Sequence, residues 1–215
     1  MKKTFKLAAI AFLGVALLSL SSCIKGNDGE EVQFKQIGTL EKTTIMNAIV
    51  GNYTGKLHFP KSLDEANKTD SVVLNWRVTS DTTIVIPEFP VKVLVNLVRG
   101  DKDFKDALAA ADPVNVEMKL QMPAYMVENY FNSGYYLLSP LAKGDVDVNL
   151  AGKPAKLTFA SSIYVGSISY RSVQQLFEYS KAIEKNRTRL LVKQITFNNT
   201  PHEINAPVVL LGKKM

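Results

Sequence analysis

The chain is dominated by stretches in which apolar and polar residues alternate, a pattern that predicts β-strands. The strictest are residues 72–79 and 114–122, where every second side chain is apolar. Successive side chains of a strand point to opposite faces, so each strand is expected to turn one face to a core and the other to water. Further strands are predicted at residues 51–59, 82–86, 91–98, 145–150, 156–165, 190–197 and 207–211.

Two helices are predicted in the first half by apolar residues at helical spacing. One runs from residue 39 to residue 50, and Gly51 is placed to end it. The other opens at Gly100-Asp101 and is stopped by Pro113. Acidic residues at its start fit helix capping rather than a calcium loop, because the glycine and bidentate glutamate of such a loop are missing.

Two helical segments are predicted in the second half. A helical turn is expected within residues 123–132, with Gly134 as its terminator. Ser172 with Gln175 resembles a capping box. Apolar residues follow at helical spacing as far as Ile183, and they predict an amphipathic helix that covers the sheet.

Together these elements predict a mainly β fold of the α+β class with antiparallel strands, because no strand–helix–strand rhythm is present. Two architectures stay open, an antiparallel sandwich and a barrel, each with two to four short accessory helices. The predicted helix followed by Gly51-x-Tyr53 resembles the opening of lipocalin-like barrels, in which tryptophan takes the place of Tyr53. That resemblance implies a barrel.

The N-terminus has a short cationic start and an apolar run, residues 7–20, that is too short to span a bilayer comfortably. Leu20-Ser21-Ser22-Cys23 follows, and the whole resembles the bacterial lipoprotein signal. The resemblance implies export, cleavage before Cys23 and lipidation of that cysteine. We therefore predict a signal peptide at residues 1–22, a lipidated flexible tether at 23–36 and one β-rich domain at 37–215.

Loss of the leader changes the charge balance of the chain. The full sequence has 26 basic and 20 acidic residues, and the leader carries Lys2, Lys3 and Lys6, so 23 basic residues remain. The remaining charges are scattered, which predicts that nucleic acid is not a partner. Removing 22 of 215 residues leaves 193, a length that one core can accommodate, and Cys23 is the only cysteine, so no disulfide supports that core.

Residues suited to catalysis are sparse. His58 and His202 are the only histidines, no metal-binding histidine motif or nucleophile elbow occurs, and no phosphate-binding loop is present. Neither a cofactor nor a metal is expected. Asp145 and Asp147 share one strand face, which fits either a solvated edge or an acid–base pair, so a hydrolase with dispersed carboxylates stays open.

A dense aromatic group near the middle of the chain is the candidate ligand-binding site. Exposed aromatic rings stack on sugar faces or fill interface pockets, whereas buried ones are simply core, and both interpretations stay open. The candidate residues are Tyr125, Tyr130, Tyr135 and Tyr136.

Two short motifs bear on modification. Asp70-Ser71-Val72 and Asp81-Thr82-Thr83 resemble the sequon at which Bacteroides-type bacteria O-glycosylate exported proteins. The resemblance implies Ser71 and Thr82 as glycosylation sites.

The whole pattern resembles the small lipoproteins of Bacteroides-type bacteria that are grouped as domains of unknown function. The resemblance rests on the lipobox, the polar tether, the entry Ile49-Val50-Gly51-Asn52-Tyr53-Thr54-Gly55-Lys56-Leu57 and a Phe89-Pro90 element. It implies an outer-membrane lipoprotein that faces the periplasm or the cell surface.

The predicted function is therefore that of a lipid-anchored, non-catalytic binding or accessory module of the cell envelope. The predicted partners are the membrane, reached through the N-terminal lipid, and a glycan or another envelope protein. Two alternatives stay open: a glycosidase-like hydrolase, and a purely structural envelope protein.

Overall fold

The computed structural model describes residues 24–25, 31–65, 67–160 and 175–215. The predicted signal peptide and the lipidation site Cys23 lie outside these residues. So do the start of the helix predicted from Ser172 and the end of the strand predicted over residues 156–165.

Antiparallel strands make up most of the described chain, as the alternating sequence pattern predicted. They are β1 (Ile24–Lys25), β2 (Glu31–Val32), β3 (Phe34–Gln36), β4 (Gly51–Pro60), β5 (Thr69–Val78), β6 (Thr83–Phe89), β7 (Val114–Gln121), β8 (Tyr125–Val127), β9 (Tyr135–Ala142), β10 (Val146–Leu150), β11 (Lys153–Phe159), β12 (Leu176–Ser180), β13 (Lys185–Phe197) and β14 (Thr200–Lys214).

Ten of these strands form one sheet, in the order β10-β11-β13-β12-β9-β7-β6-β5-β4-β14. An additional pairing of β13 with β14 joins the sheet to itself, so that eight strands form a partly closed ring. The β10–β11 hairpin is attached to β13 beside this ring. The prediction of a mainly β, antiparallel fold of the sandwich or barrel type is therefore confirmed, and the strands form a partly closed ring.

Four short helices lie between strands in the described part of the chain. They are α1 (Thr39–Ile49), the 3-10 helix Val91–Leu97, α2 (Lys102–Ala109) and α3 (Glu128–Asn132). The side chain of Asp101 accepts a hydrogen bond from the backbone of Phe104 and caps α2, as the capping interpretation required. Gly134 follows α3 with a φ of +73°, the left-handed conformation typical of a glycine that ends a helix.

The prediction of a helix through Ile183 is wrong where the structure describes it. Residues 176–180 form β12, which pairs with β9 on one side and with β13 on the other. Phe177 and Tyr179 point into the core and the residues between them point out, so this short segment also satisfies the strand period. The apolar residues of this segment fit both a helical and a strand period, and hydrogen bonding to a strand on each side stabilises the strand.

The strand predicted over residues 91–98 is also wrong, because this segment is a 3-10 helix. Its buried side chains are Val91, Leu94 and Leu97, which recur every third residue, the period of a 3-10 helix. The helical turn predicted within residues 123–132 is half right, since β8 occupies its first part and α3 its second.

Part of the predicted tether is attached to the folded body. β3 pairs with β8, with Phe34 opposite Val127, and the Ile37 amide donates to the Ala124 carbonyl. The core residues of the described chain begin at Ile37, directly after β3.

The interior of the ring is filled with large side chains at the end where β4 begins. The rings of Tyr53 and Trp76 are stacked at 5.8 Å, and Tyr179 meets Tyr53 edge-on. The Trp76 Nε1–H donates to the Asn186 Oδ1 atom at 3.2 Å, and Thr188 donates to the same oxygen at 2.9 Å. A ring of eight strands has an interior just wide enough for side chains to fill, so this part of the ring is a packed core.

Candidate functional site

The four candidate tyrosines do not form one platform. Tyr136 is buried in the core, where it packs against Phe131 at 5.9 Å. Tyr125 lies in β8 opposite Gln36 of β3. Tyr130 and Tyr135 alone come together, with their rings 5.4 Å apart and edge-to-face, so they present no flat surface for stacking.

Tyr135 is held by charged neighbours on the outside of the ring. Its hydroxyl donates to the Glu178 Oε1 atom at 2.7 Å, and Arg187 pairs with Glu178 at 3.4 Å. Burial, followed by the hydrogen bond to Glu178, raises the pKa of the Tyr135 phenol above its ordinary value. The Tyr135 hydroxyl is therefore already hydrogen-bonded, and the half-buried Tyr130 packs against the Tyr135 ring.

A groove of about 630 Å³ lies between α1 and the turn that joins β5 to β6. Its volume is in the range of small-molecule sites. Its apolar lining residues are buried or half-buried and are called the floor, and its polar lining residues, with hydroxyl, amide and ammonium groups, are mostly exposed and are called the rim. The floor residues are Met46, Val50, Leu120 and Met122, and the rim residues are Thr39, Lys42, Thr43, Asn47, Ser80 and Thr82.

The turn on one side of this groove is fixed by hydrogen bonds to Asp81. Thr79 donates to this carboxylate at 2.5 Å and Thr83 at 3.0 Å, and these bonds lower the pKa of Asp81. Lys119 pairs with the same group at 3.7 Å. Thr82 has a φ of +64°, and its amide donates to the Thr79 carbonyl at 3.1 Å, which closes the turn. The rim residues Ser80 and Thr82 are therefore held in place before any ligand arrives.

The side of the groove opposite the turn is formed by α1. Buried side chains and a hydrogen bond hold this helix against the body of the protein. Ile45 and Ile49 are fully buried, and the Lys214 Nζ atom donates to the carbonyl of Ala48 at 2.8 Å, which satisfies one carbonyl of the last helical turn. The exposed side of α1 is thus left free to line the groove.

The groove was missed by sequence reasoning. Its residues come from α1, from the β5–β6 turn and from the end of β7, which are distant along the chain. No motif predicted any of them as a ligand contact, and only folding brings these segments together. The one predicted residue that lines the groove is Thr82, as a modification site rather than as a ligand contact.

Asp145 and Asp147 lie in a separate polar recess of about 460 Å³ beside β7. Each is already bonded, Asp145 by the Thr158 hydroxyl at 2.8 Å and Asp147 by Lys156 at 3.1 Å. Glu117 in the same recess has a lowered pKa, chiefly because Lys143 donates a hydrogen bond to it at 2.8 Å. The recess therefore holds ion pairs rather than an unpaired acid.

The two histidines have structural surroundings. His202 stacks on Phe104 with 3.8 Å between ring centres, and its Nδ1 atom lies 3.3 Å from the carbonyl of Arg99. His58 is half-buried in β4, opposite Ser71 of β5. No cluster of three or more potential metal-binding side chains occurs in the part of the chain that the structure describes.

The predicted modification sites are differently placed. Ser71 lies within β5 and is half-buried, and Thr82 lies in the β5–β6 turn. Both remain predictions, and so does the lipidation of Cys23. Among the described residues, no helix has both the length and the apolar character to cross a membrane.

A family model described as a domain of unknown function, DUF4840, matches residues 48–197. The chain belongs to this family. The match starts at the end of α1 and ends with β13, so it includes most of the DUF4840 ring and the turn side of the groove, whereas the groove residues of α1 precede it. No curated protein and no solved structure matches the chain.

Proposed function

We propose that this DUF4840 protein is an exported module of the cell envelope, anchored to the outer membrane through a lipid on Cys23, which binds a small glycan in the groove between α1 and the β5–β6 turn. The groove carries the proposal. Sugars have apolar C–H faces and hydroxyl edges, and the groove offers an apolar floor and a polar rim that match both.

The binding role is better supported than hydrolysis. A glycosidase needs one carboxylic acid whose pKa is raised and a second carboxylate at a set distance. Glu41, Asp81 and Glu117 have pKa values that are shifted downward by hydrogen bonds, the opposite direction. The carboxylates of the polar recess are bonded to Thr158, Lys143 and Lys156, which supports a structural role for them.

Substitution of Cys23 tests the anchor. The wild-type protein, expressed in a host that processes lipoproteins, is expected to enter the detergent phase on phase separation. A thioether-linked lipid with a further acyl chain supplies the two apolar anchors that stable attachment needs, at ~0.8 kcal/mol per buried CH₂. Cys23→Ala is expected to lose the mass of the lipid. An unmodified mass for the wild-type protein would refute the anchor.

Filling the groove tests the ligand site. Thr43 is exposed on α1 and lines the groove, so Thr43→Trp places a large ring in it with little effect on the core. We expect the binding of saccharides on a glycan array to weaken at least about tenfold, which corresponds to ~1.4 kcal/mol.

Leu40→Trp is the matched control. Leu40 is on the same helix, is 76% exposed and does not line the groove, so the added ring leaves the site open. Equal saccharide binding by Thr43→Trp and Leu40→Trp, or no binding by the wild type, would remove the groove as a glycan site.

A further inference from the structure

The outside of the ring carries a cationic face on three neighbouring strands. Its side chains point outward because they alternate with buried residues of the same strands, such as Asn186, Thr188 and Leu57. All the cations are exposed. The cationic face consists of Lys185, Arg187 and Arg189 on β13, Lys213 on β14 and Lys56 on β4.

The strand register brings these charges close together. Lys185 lies directly opposite Lys213, and Leu211 lies between Arg187 and Lys56 in the next row of the sheet. Neighbouring strands are about 4.8 Å apart, so the five cations lie within a few strand spacings. Like charges directly opposite each other destabilise a sheet, and a bound anionic surface would relieve that repulsion.

Counter-charges on this face are few. Glu178 pairs with Arg187, whereas Lys56, Lys185, Arg189 and Lys213 have no ion pair within the described part of the chain. Glu184 directly precedes Lys185 in the chain. The five cations outnumber the neighbouring acidic side chains Glu178 and Glu184, and a face with such a local excess of positive charge is attracted to an anionic surface.

We infer that the cationic face binds the anionic surface of a lipid bilayer. Two exposed apolar side chains, Val73 at 76% exposure and Leu211 at 42%, lie in the same row as Arg187 and Lys56 and would contact the interface. Basic and apolar side chains together are typical of proteins that lie on membranes.

The tether permits this contact. β1 pairs with β2, with Ile24 opposite Val32, and one residue separates β2 from β3, so Ile24, the residue after Cys23, lies close to the folded body. A body held by a lipid on Cys23 therefore stays close enough to the bilayer for its cationic face to reach it. This step rests on the proposed anchor, whereas the argument from charge does not.

Vesicle binding by a chain of residues 24–215 tests the inference without the lipid. This chain keeps every core residue of the described structure, and circular dichroism checks that each variant folds. It is expected to bind vesicles of mixed phosphatidylglycerol and phosphatidylcholine, to ignore phosphatidylcholine alone, and to dissociate as salt is raised. Each basic residue contributes roughly fivefold near an anionic surface, so K56Q/K213Q is expected to bind about 25-fold more weakly.

K92Q/K153Q is the matched control, because it removes the same charge from exposed lysines outside the cationic face. It is expected to bind as the wild type does. Equal losses in both double variants, or no preference for anionic vesicles, would overturn the inference. So would binding to an anionic polysaccharide such as polygalacturonate without binding to vesicles. If Cys23 proves unlipidated while anionic vesicles still bind, only the proposed anchor fails.

Discussion

Gly212→Ala is expected to lower the free energy of unfolding by about 3 kcal/mol, the upper end of the usual cost of overpacking. A Cβ atom at this position would overlap the Cη2 atom of the Trp76 indole and lie 2.5 Å from the carbonyl oxygen of Thr54. The indole is itself fixed by Tyr53 and Asn186, so it has little room to move. Urea unfolding followed by the fluorescence of Trp76, the only tryptophan, measures the loss.

Gly152→Ala separates this packing effect from backbone strain. Gly152 lies in the two-residue turn between β10 and β11 with a φ of +80°, and a Cβ atom there would meet nothing within 4 Å. Only the left-handed conformation then costs free energy, about 1 kcal/mol. If the two alanine variants were equally stable, the close approach of Trp76 to Gly212 would be refuted.

Asn186→Leu is expected to be almost as damaging, with a loss of about 3 kcal/mol. Asn186 is buried, and its Oδ1 atom accepts hydrogen bonds from Trp76 and Thr188. Its Nδ2 atom donates to the carbonyl of Glu178 at 2.9 Å. Leucine has a similar volume but no polar atoms, so it leaves these partners without their bonds inside the core. Urea unfolding gives the size of the loss.

Thr188→Val is the control for Asn186. Valine has a shape similar to that of threonine but lacks the hydroxyl that donates to Asn186, and the bond between Asn186 and Trp76 stays in place. The free energy of unfolding is therefore expected to fall by about 1 kcal/mol. If Thr188→Val proved as costly as Asn186→Leu, shape rather than hydrogen bonding would determine the stability of this layer.

The candidate site was predictable only in part. The cluster of tyrosines is visible in the sequence, and the structure brings Tyr130 and Tyr135 together at 5.4 Å. Alternation along β9 decides the rest, since Tyr135 points outward and Tyr136 points into the core. The groove has no such signal, because a helix, a turn and a strand end meet there only after folding.

The cationic face was not predictable from the sequence either. Along the chain its lysines and arginines are mixed with acidic residues, and the sequence therefore predicted no basic surface. Antiparallel pairing sets Lys185 opposite Lys213 and places Lys56 one strand further on. Charges far apart in sequence add up on one side of the ring.

The sequence by itself determined the strands with strict alternation, the helices α1 and α2 with their end signals, and the mainly β class. Those features depend on side-chain period and capping, which are local. Tertiary structure alone decided that residues 176–180 form a strand, that 91–97 form a 3-10 helix and that β13 meets β14 to form the ring. Each of these depends on hydrogen bonds or burial supplied by distant residues, and no local pattern contains that information.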